Sequence, residues 1–363
     1  MTQASGQKTR KAFTHVSMAF IGSVFVGIVL LAALFYFADF GQVIETIQRA
    51  NFRIILVALA LDVAGLALYG AAWYALIRGA GLKIKFVTTE VIAMTGIFTC
   101  YITPSGFFMD VSRMLLASRE AKIKLGRSAA TVVMHKILFT LGFVTFAFAG
   151  SIVLLGHSGS TFIVARNILL VAAAITVAMF AIALAVHKLD RLAVFAERPL
   201  KQLSSMLGKM IGKHEDTVSE QLDTFLSDFR ETFVGMLRRP KVLVLPFVLT
   251  LLYWSTSISI MCLVFLSLDY PVPIWVAALT ISVGDFVQMT PIAIPGMLGV
   301  LEVVFTSVLV ALGVPLTIAA SATVLVRICT FWFDLPFTGT AALYSSAKFI
   351  SEVISGFQNS GDK

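Results

Sequence analysis

A chain of 363 residues in which 58% are hydrophobic and 13% charged, with a mean hydropathy of +0.92, is excluded from the ordinary soluble domains, where roughly 25% of residues are charged. Several apolar runs reach the ~20 residues that a helix needs to cross a bilayer, so the composition is that of a polytopic membrane protein. The net charge of +8 is spread over segments flanking those runs, which makes it a topological signal and argues against nucleic acid as a partner.

Lys8, Arg10 and Lys11 precede an apolar run from Ser17 to about Phe40. It is too long for the apolar region of a cleaved signal and lacks a clear small-residue cleavage site, so it reads as a retained signal anchor. Helices are predicted over 17–38 and 52–77. Residues 86–103 and 106–120 form a broken pair, followed by helices over 127–156 and 162–187. From Lys188 to Lys241 the chain is polar, with ten Lys and Arg residues. Within it Leu222, Phe225, Leu226, Phe229, Phe233 and Met236 recur at helical spacing, which predicts an amphipathic helix lying on the membrane surface or on the helix bundle, or binding a partner. A helix over 242–268, a second broken pair over 273–291 and 292–312, and a last helix over 315–345 complete the order. The chain divides into a tail with the first helix (1–51), a first membrane repeat with its connecting helix (52–187), the cytoplasmic amphipathic segment (188–241), a second repeat (242–347) and a C-terminal tail (348–363).

The two breaks organise this chain. Thr103-Pro104-Ser105-Gly106 precedes Asp110 and Arg113, and Pro295-Gly296-Met297-Leu298-Gly299 precedes Glu302. Proline has no N–H and glycine tolerates unusual backbone angles, so each stretch interrupts a membrane helix and frees backbone groups that only protein or water can satisfy. Paired breaks in corresponding positions of two halves point to a transporter-type central site. The offsets agree: Thr131-Val132-Val133-Met134-His135 matches Thr323-Val324-Leu325-Val326-Arg327 at 323 − 131 = 192, Asp110 matches Glu302 at 302 − 110 = 192, and Pro104 matches Pro295 at 295 − 104 = 191.

Short loops rich in Lys and Arg stay cytoplasmic. The tail, the connection with Arg78, Lys83 and Lys85, the one with Arg113 to Arg127, and the 188–241 segment are basic. The connections near 157–161, 269–273 and 313–316 carry no Lys or Arg, whereas Arg49 and Arg53 in 39–53 run against the pattern. Both termini are therefore expected inside, with the two repeats inverted. The fold expected is an all-α membrane helix bundle with an inverted repeat and two broken or re-entrant helix pairs.

Ionisable residues at membrane depth cost at least ~2.5 kcal/mol each and usually face a partner or a wet cavity. Asp110 and Arg113 are three apart and can pair locally. Arg327 is available to Glu302, and His135 and Lys136 occupy the corresponding helix of the first copy, so the signs suggest pairing across the repeats. Arg113, Lys136 and Arg327 are expected to hold an anionic headgroup, aided by the helix N-termini after Pro104 and Pro295; the alternative is that they neutralise Asp110 and Glu302 and lock the bundle. Asp62, Glu90 and Asp334 are read as lying nearer helix ends. Cys100, Cys262 and Cys329 have no metal or redox spacing and read as small core residues. There is no phosphate loop, HExxH, GxSxG or acidic metal motif, so no catalytic residue, cofactor or metal is assigned.

Thr103-Pro104-Ser105-Gly106 with Asp110, Arg113 and Ala129 to Lys136 resembles the first half of the lysylphosphatidylglycerol synthase transmembrane region family, also called flippase-like or UPF0104 proteins. Pro295 to Glu302, Leu312-Gly313-Val314-Pro315 and Arg327 resemble its second half. Two departures stand out: Phe108 and Met109 replace the family's Gly-Gly pair, and His135-Lys136 replaces its acidic residue and Arg, which leaves the close backbone approach and the ion-pair arrangement open. The resemblance implies an inner-membrane protein that binds and translocates an anionic lipid or lipid-linked intermediate. Members fused to a soluble domain aminoacylate phosphatidylglycerol; no such domain precedes Lys363, so that reaction is not expected of this chain alone. The site expected comprises Pro104, Gly106, Asp110, Arg113, His135, Lys136, Pro295, Gly296, Gly299, Glu302 and Arg327. Membrane lipids are the expected partners. A lipid-modifying enzyme such as a glycosyltransferase, with Asp110 or Glu302 as base, and a subunit anchoring a synthase or transferase through 188–241, remain the alternatives.

Overall fold

A computed structural model describes residues 22–103, 106–154, 215–290 and 294–361. All regular structure among these residues is helical. The predicted helix over 162–187 and the start of the polar segment lie outside the described residues.

Helix α1, Gly22–Ala38, turns by 84° into α2, Phe40–Gln48. The bend sits at Asp39, whose φ of 59° is in the left-handed region that short polar side chains tolerate. Asp39 Oδ1 accepts from Gly41 N at 3.2 Å and Gln42 N at 3.4 Å, capping α2. Arg49, the basic exception to the loop pattern, pairs with Glu45 one turn back.

Helix α3, Phe52–Gly79, is followed by the first broken pair, α4 (Phe86–Ile102) and α5 (Phe107–Glu120), and by α6, Leu125–Leu154. The amphipathic segment forms α7, Glu215–Leu237. Then come α8 (Lys241–Ser267), α9 (Ile274–Gln288), a short 3₁₀ turn at Pro295–Met297, α10 (Val300–Ala311) and α11 (Leu316–Arg327). The last predicted helix is not continuous. A π-turn at Ile328–Trp332 separates α11 from α12, Asp334–Gly361, where Phe333 N donates to Ile328 O at 3.0 Å, five residues back.

Among the described residues four spans are long and apolar enough to cross a membrane, or five if α1 and α2 count as one. The arms are shorter. At 1.5 Å per residue the 17 residues of α4 reach only about 26 Å and the 15 of α9 about 23 Å, less than the ~30 Å hydrocarbon core. Large apolar side chains on the outside, such as Phe25, Tyr36, Leu245 and Leu343, are exposed as lipid-facing residues would be.

Helices α3 and α8 pack antiparallel along their length. Asn51 N donates to Ser267 O at 2.8 Å at one end, while Gly79 meets Val242 at the other. Further contacts join α4 to α12, α9 to α6, α2 to α11 and α7 to α6. Trp254, Phe143, Phe305 and Phe265 anchor the main buried cluster, and Tyr69, Trp73, Ile92 and Ile97 the one around α3 to α5.

Helix α7 lies on the bundle. Phe233 and Met236 insert against Met134 and Leu138 of α6, and Asp228 meets Lys124 at 3.2 Å and Arg127 at 3.3 Å.

Candidate functional site

Between α3, α4, α5, α6, α8 and the second broken pair lies a cavity of about 410 Å³, within the ~300–1,000 Å³ range of ligand pockets. Its polar groups form three corners.

The first corner is built at the first break. Helix α4 ends at Ile102 and α5 starts at Phe107, which lines the cavity together with Gly106. Arg113, 1% exposed, runs its stem across Gly96 of α4, where a Cβ would come 2.7 Å from Arg113 Cγ. Its guanidinium stacks 4.1 Å above the Trp73 ring. Arg113 Nη1 donates to Tyr69 Oη at 2.8 Å, and Nη2 lies 3.0 Å from His135 Nδ1. Arginine only donates, so Nδ1 accepts; His135 is neutral with its proton on Nε2, which has no partner among the described residues. Asp110 is 4.0 Å from Arg113 but 2.5 Å from Lys136 Nζ. Two cations therefore face one carboxylate, and Lys136 stands at the open edge with 52% of its side chain exposed.

The second corner is neutral. Glu302, 3% exposed, accepts from Arg327 Nε and Gly299 N, each at 2.7 Å, closing a cap on α10. Arg327 Nη2 donates to Gly296 O at 2.7 Å and its guanidinium stacks 4.3 Å from the Phe331 ring. Gly296 (φ 58°) and Gly299 (φ 80°) take the left-handed conformations that such a turn needs. Gly299 also lies under α1, where a Cβ would come 2.2 Å from Gly27 O. Arg327 lines the cavity, while Pro295, Gly296, Gly299 and Glu302 stand behind it and hold it in place. The pairing expected across the repeats instead lies within each half, Asp110 with Lys136 and Glu302 with Arg327.

The third corner is acidic and corrects the sequence reading. Asp62 and Asp334, read as interfacial, are 7% and 3% exposed and line the cavity. Tyr101 Oη is 2.9 Å from Asp334 Oδ2 and 3.0 Å from Thr330 O. Asp285 lines the same cavity. Glu90 is also drawn inside, against Gly70 of α3.

Gly106, Asp110, Arg113, His135, Lys136 and Arg327 thus share the cavity; Pro104 lies outside the described residues. Sequence reasoning missed Tyr69, Trp73, Tyr101 and Gly96. Their signal was faint, polar-tipped aromatics and one glycine at helical spacing on the face opposite the breaks.

The profile of the lysylphosphatidylglycerol synthase TM region matches residues 20–337. A UPF0104 membrane protein of Pyrococcus horikoshii is 24% identical, the match covering 90% of this chain and 98% of its own. Those of Methanothermobacter thermautotrophicus, at 24% over 91% and 96%, and Archaeoglobus fulgidus, at 26% over 90% and 96%, are similarly aligned. With the match running from α1 into α12, across both breaks and all three corners, the chain belongs to the lysylphosphatidylglycerol synthase transmembrane region family of multi-pass membrane proteins.

Proposed function

We propose that this protein binds an anionic lipid headgroup in the central cavity and translocates it, as a flippase-like carrier of the cytoplasmic membrane with both termini inside. The observation that carries the reading is the charge imbalance of the first corner: Arg113 and Lys136 face the cavity against Asp110 alone. In a low-dielectric enclosure a surplus cation attracts a phosphate far more strongly than it would in water. The N-terminus of α5 adds a partial positive charge beside it. Reciprocal packing of α3 with α8, α4 with α12 and α9 with α6 supports the inverted repeat on which an exchange of access between the two sides would rest.

The enzymatic alternative finds no support at its proposed bases. Glu302 is engaged at both oxygens and stands off the cavity, and Asp110 is committed to Lys136. A synthase or transferase partner stays a proposal, with the outer face of α7 as its place. The test is native mass spectrometry of the detergent-purified protein offered phosphatidylglycerol and phosphatidylcholine. Wild type should retain the anionic lipid, and Lys136→Gln should lose that preference; equal retention of both lipids by wild type would refute the reading.

A further inference from the structure

The acidic corner is not needed to hold an anion; it opposes one. Asp62 and Asp334 are both buried and line the same cavity, and Asp62 Oδ2 and Asp334 Oδ1 have no hydrogen-bond donor among the described residues. Neither belongs to an ion pair within 4.0 Å among those residues; Arg327, the nearby charge on Asp334, is bonded to Glu302. A count of hydrogens sharpens this. Tyr101 has one hydroxyl proton and two contacts, and Thr330 O can only accept. Given to Thr330 O, that proton leaves the 2.9 Å contact to Asp334 Oδ2 for a carboxyl hydrogen; given to Asp334 Oδ2, it serves one oxygen and leaves Oδ1 without a donor. The orphaned oxygens of both side chains lie in the same cavity with no donor among the described residues to meet a second negative charge. Two like charges buried together favour sharing one proton.

We infer that Asp62 and Asp334 form a proton-binding pair that couples proton movement to the exchange of access in the cavity, an inference that rests on the proposed translocation. The pair is placed for that role. Asp62 lies ten residues into the 28-residue α3, about 15 Å from its start and well inside the span. Asp334 begins α12, just past the π-turn, and Tyr101 reaches it from α4, so the contact joins the two halves at the surface along which they would move. With one proton bound the pair carries a single negative charge and holds α3 against α12. Release of that proton to the aqueous cavity leaves two buried carboxylates without a counter-ion and favours parting of the helices around them; uptake from the other side restores the closed packing. The titratable and charged groups facing the pair are Tyr101 of α4, Tyr253 of α8, Arg327 of α11 and Cys329 of the π-turn, with Asp285 of α9 on the same cavity wall.

The test is infrared spectroscopy of the purified full chain at neutral pH, with leaflet exchange of labelled phosphatidylglycerol in vesicles as a second readout. A protonated-carboxyl C=O band should be present in wild type, lost from both Asp62→Asn and Asp334→Asn, and shifted in Tyr101→Phe. Absence of any such band from wild type, or its persistence in both Asn variants, would overturn the inference whether or not lipid moves. Sodium that displaces the band at constant pH would overturn it too, since the pair would then be a metal-cation site. The band with no lipid exchange leaves the proton pair standing and sinks the translocation; the band together with exchange that an imposed pH gradient accelerates severalfold in wild type and not in Asp334→Asn supports both.

Discussion

Glu302 and Arg327 share a buried contact in which each carboxylate oxygen has a donor and the guanidinium also reaches Gly296 O. Removing one partner of such a pair strands the other charge, at a cost of about 3–5 kcal/mol. Glu302→Gln should therefore lower the thermal unfolding midpoint in detergent sharply, and Glu302→Gln combined with Arg327→Met should recover much of it. A double variant no more stable than the single one would contradict the assigned pairing. Gly96 tests the first corner. An added methyl there meets the Arg113 stem at 2.7 Å, so Gly96→Ala should weaken anionic-lipid retention about as much as loss of Arg113, while Gly235→Ala, at a glycine with open space around it, should leave retention unchanged. At this scale the sequence disclosed the acids and bases near the breaks, because charge beside Pro and Gly in apolar sequence is conspicuous. It hid the burial of Asp62 and Asp334, since a lone acid in an apolar helix does not show whether it faces a cavity or solvent until the neighbouring helices are placed.

Helix α7 is held by both charge and packing, and the two should contribute unequally. Lys124 has 62% of its side chain exposed, so Asp228→Asn should cost no more than ~1 kcal/mol. Phe233 is fully buried against α6, and Phe233→Ala should cost about 3–5 kcal/mol; proteolysis of the folded protein should accelerate at α7 in the second variant and not in the first. The amphipathic spacing predicted this helix, but not which surface it covers, because an apolar stripe says nothing of its partner. The bend at Asp39 and the π-turn at Ile328–Trp332 were also illegible. Asp39 falls in the stretch read as a connection, where α2 was not expected, and the π-turn falls within sequence that reads as continuous helix, with neighbours such as Tyr101 taking up the freed groups.

Across the whole molecule, the helix breaks and the long helices were readable because membrane-depth backbone must be helical wherever it is not enclosed. The cavity itself was not, since it arises from how α3 and α8 cross between the halves. Orientation remains open to a direct test. In a background lacking Cys100, Cys262 and Cys329, a cysteine at position 215, the start of α7, should react with an impermeant maleimide only from the cytoplasmic side, and labelling from outside would reverse the topology. Most direct for the central claim is leaflet exchange of labelled phosphatidylglycerol in vesicles carrying wild type, Arg113→Ala or Lys136→Gln. Wild type should exchange the lipid well above empty vesicles and both variants should fall towards that baseline; exchange at the baseline in wild type, or unchanged in both variants, would contradict an anion-binding translocation cavity.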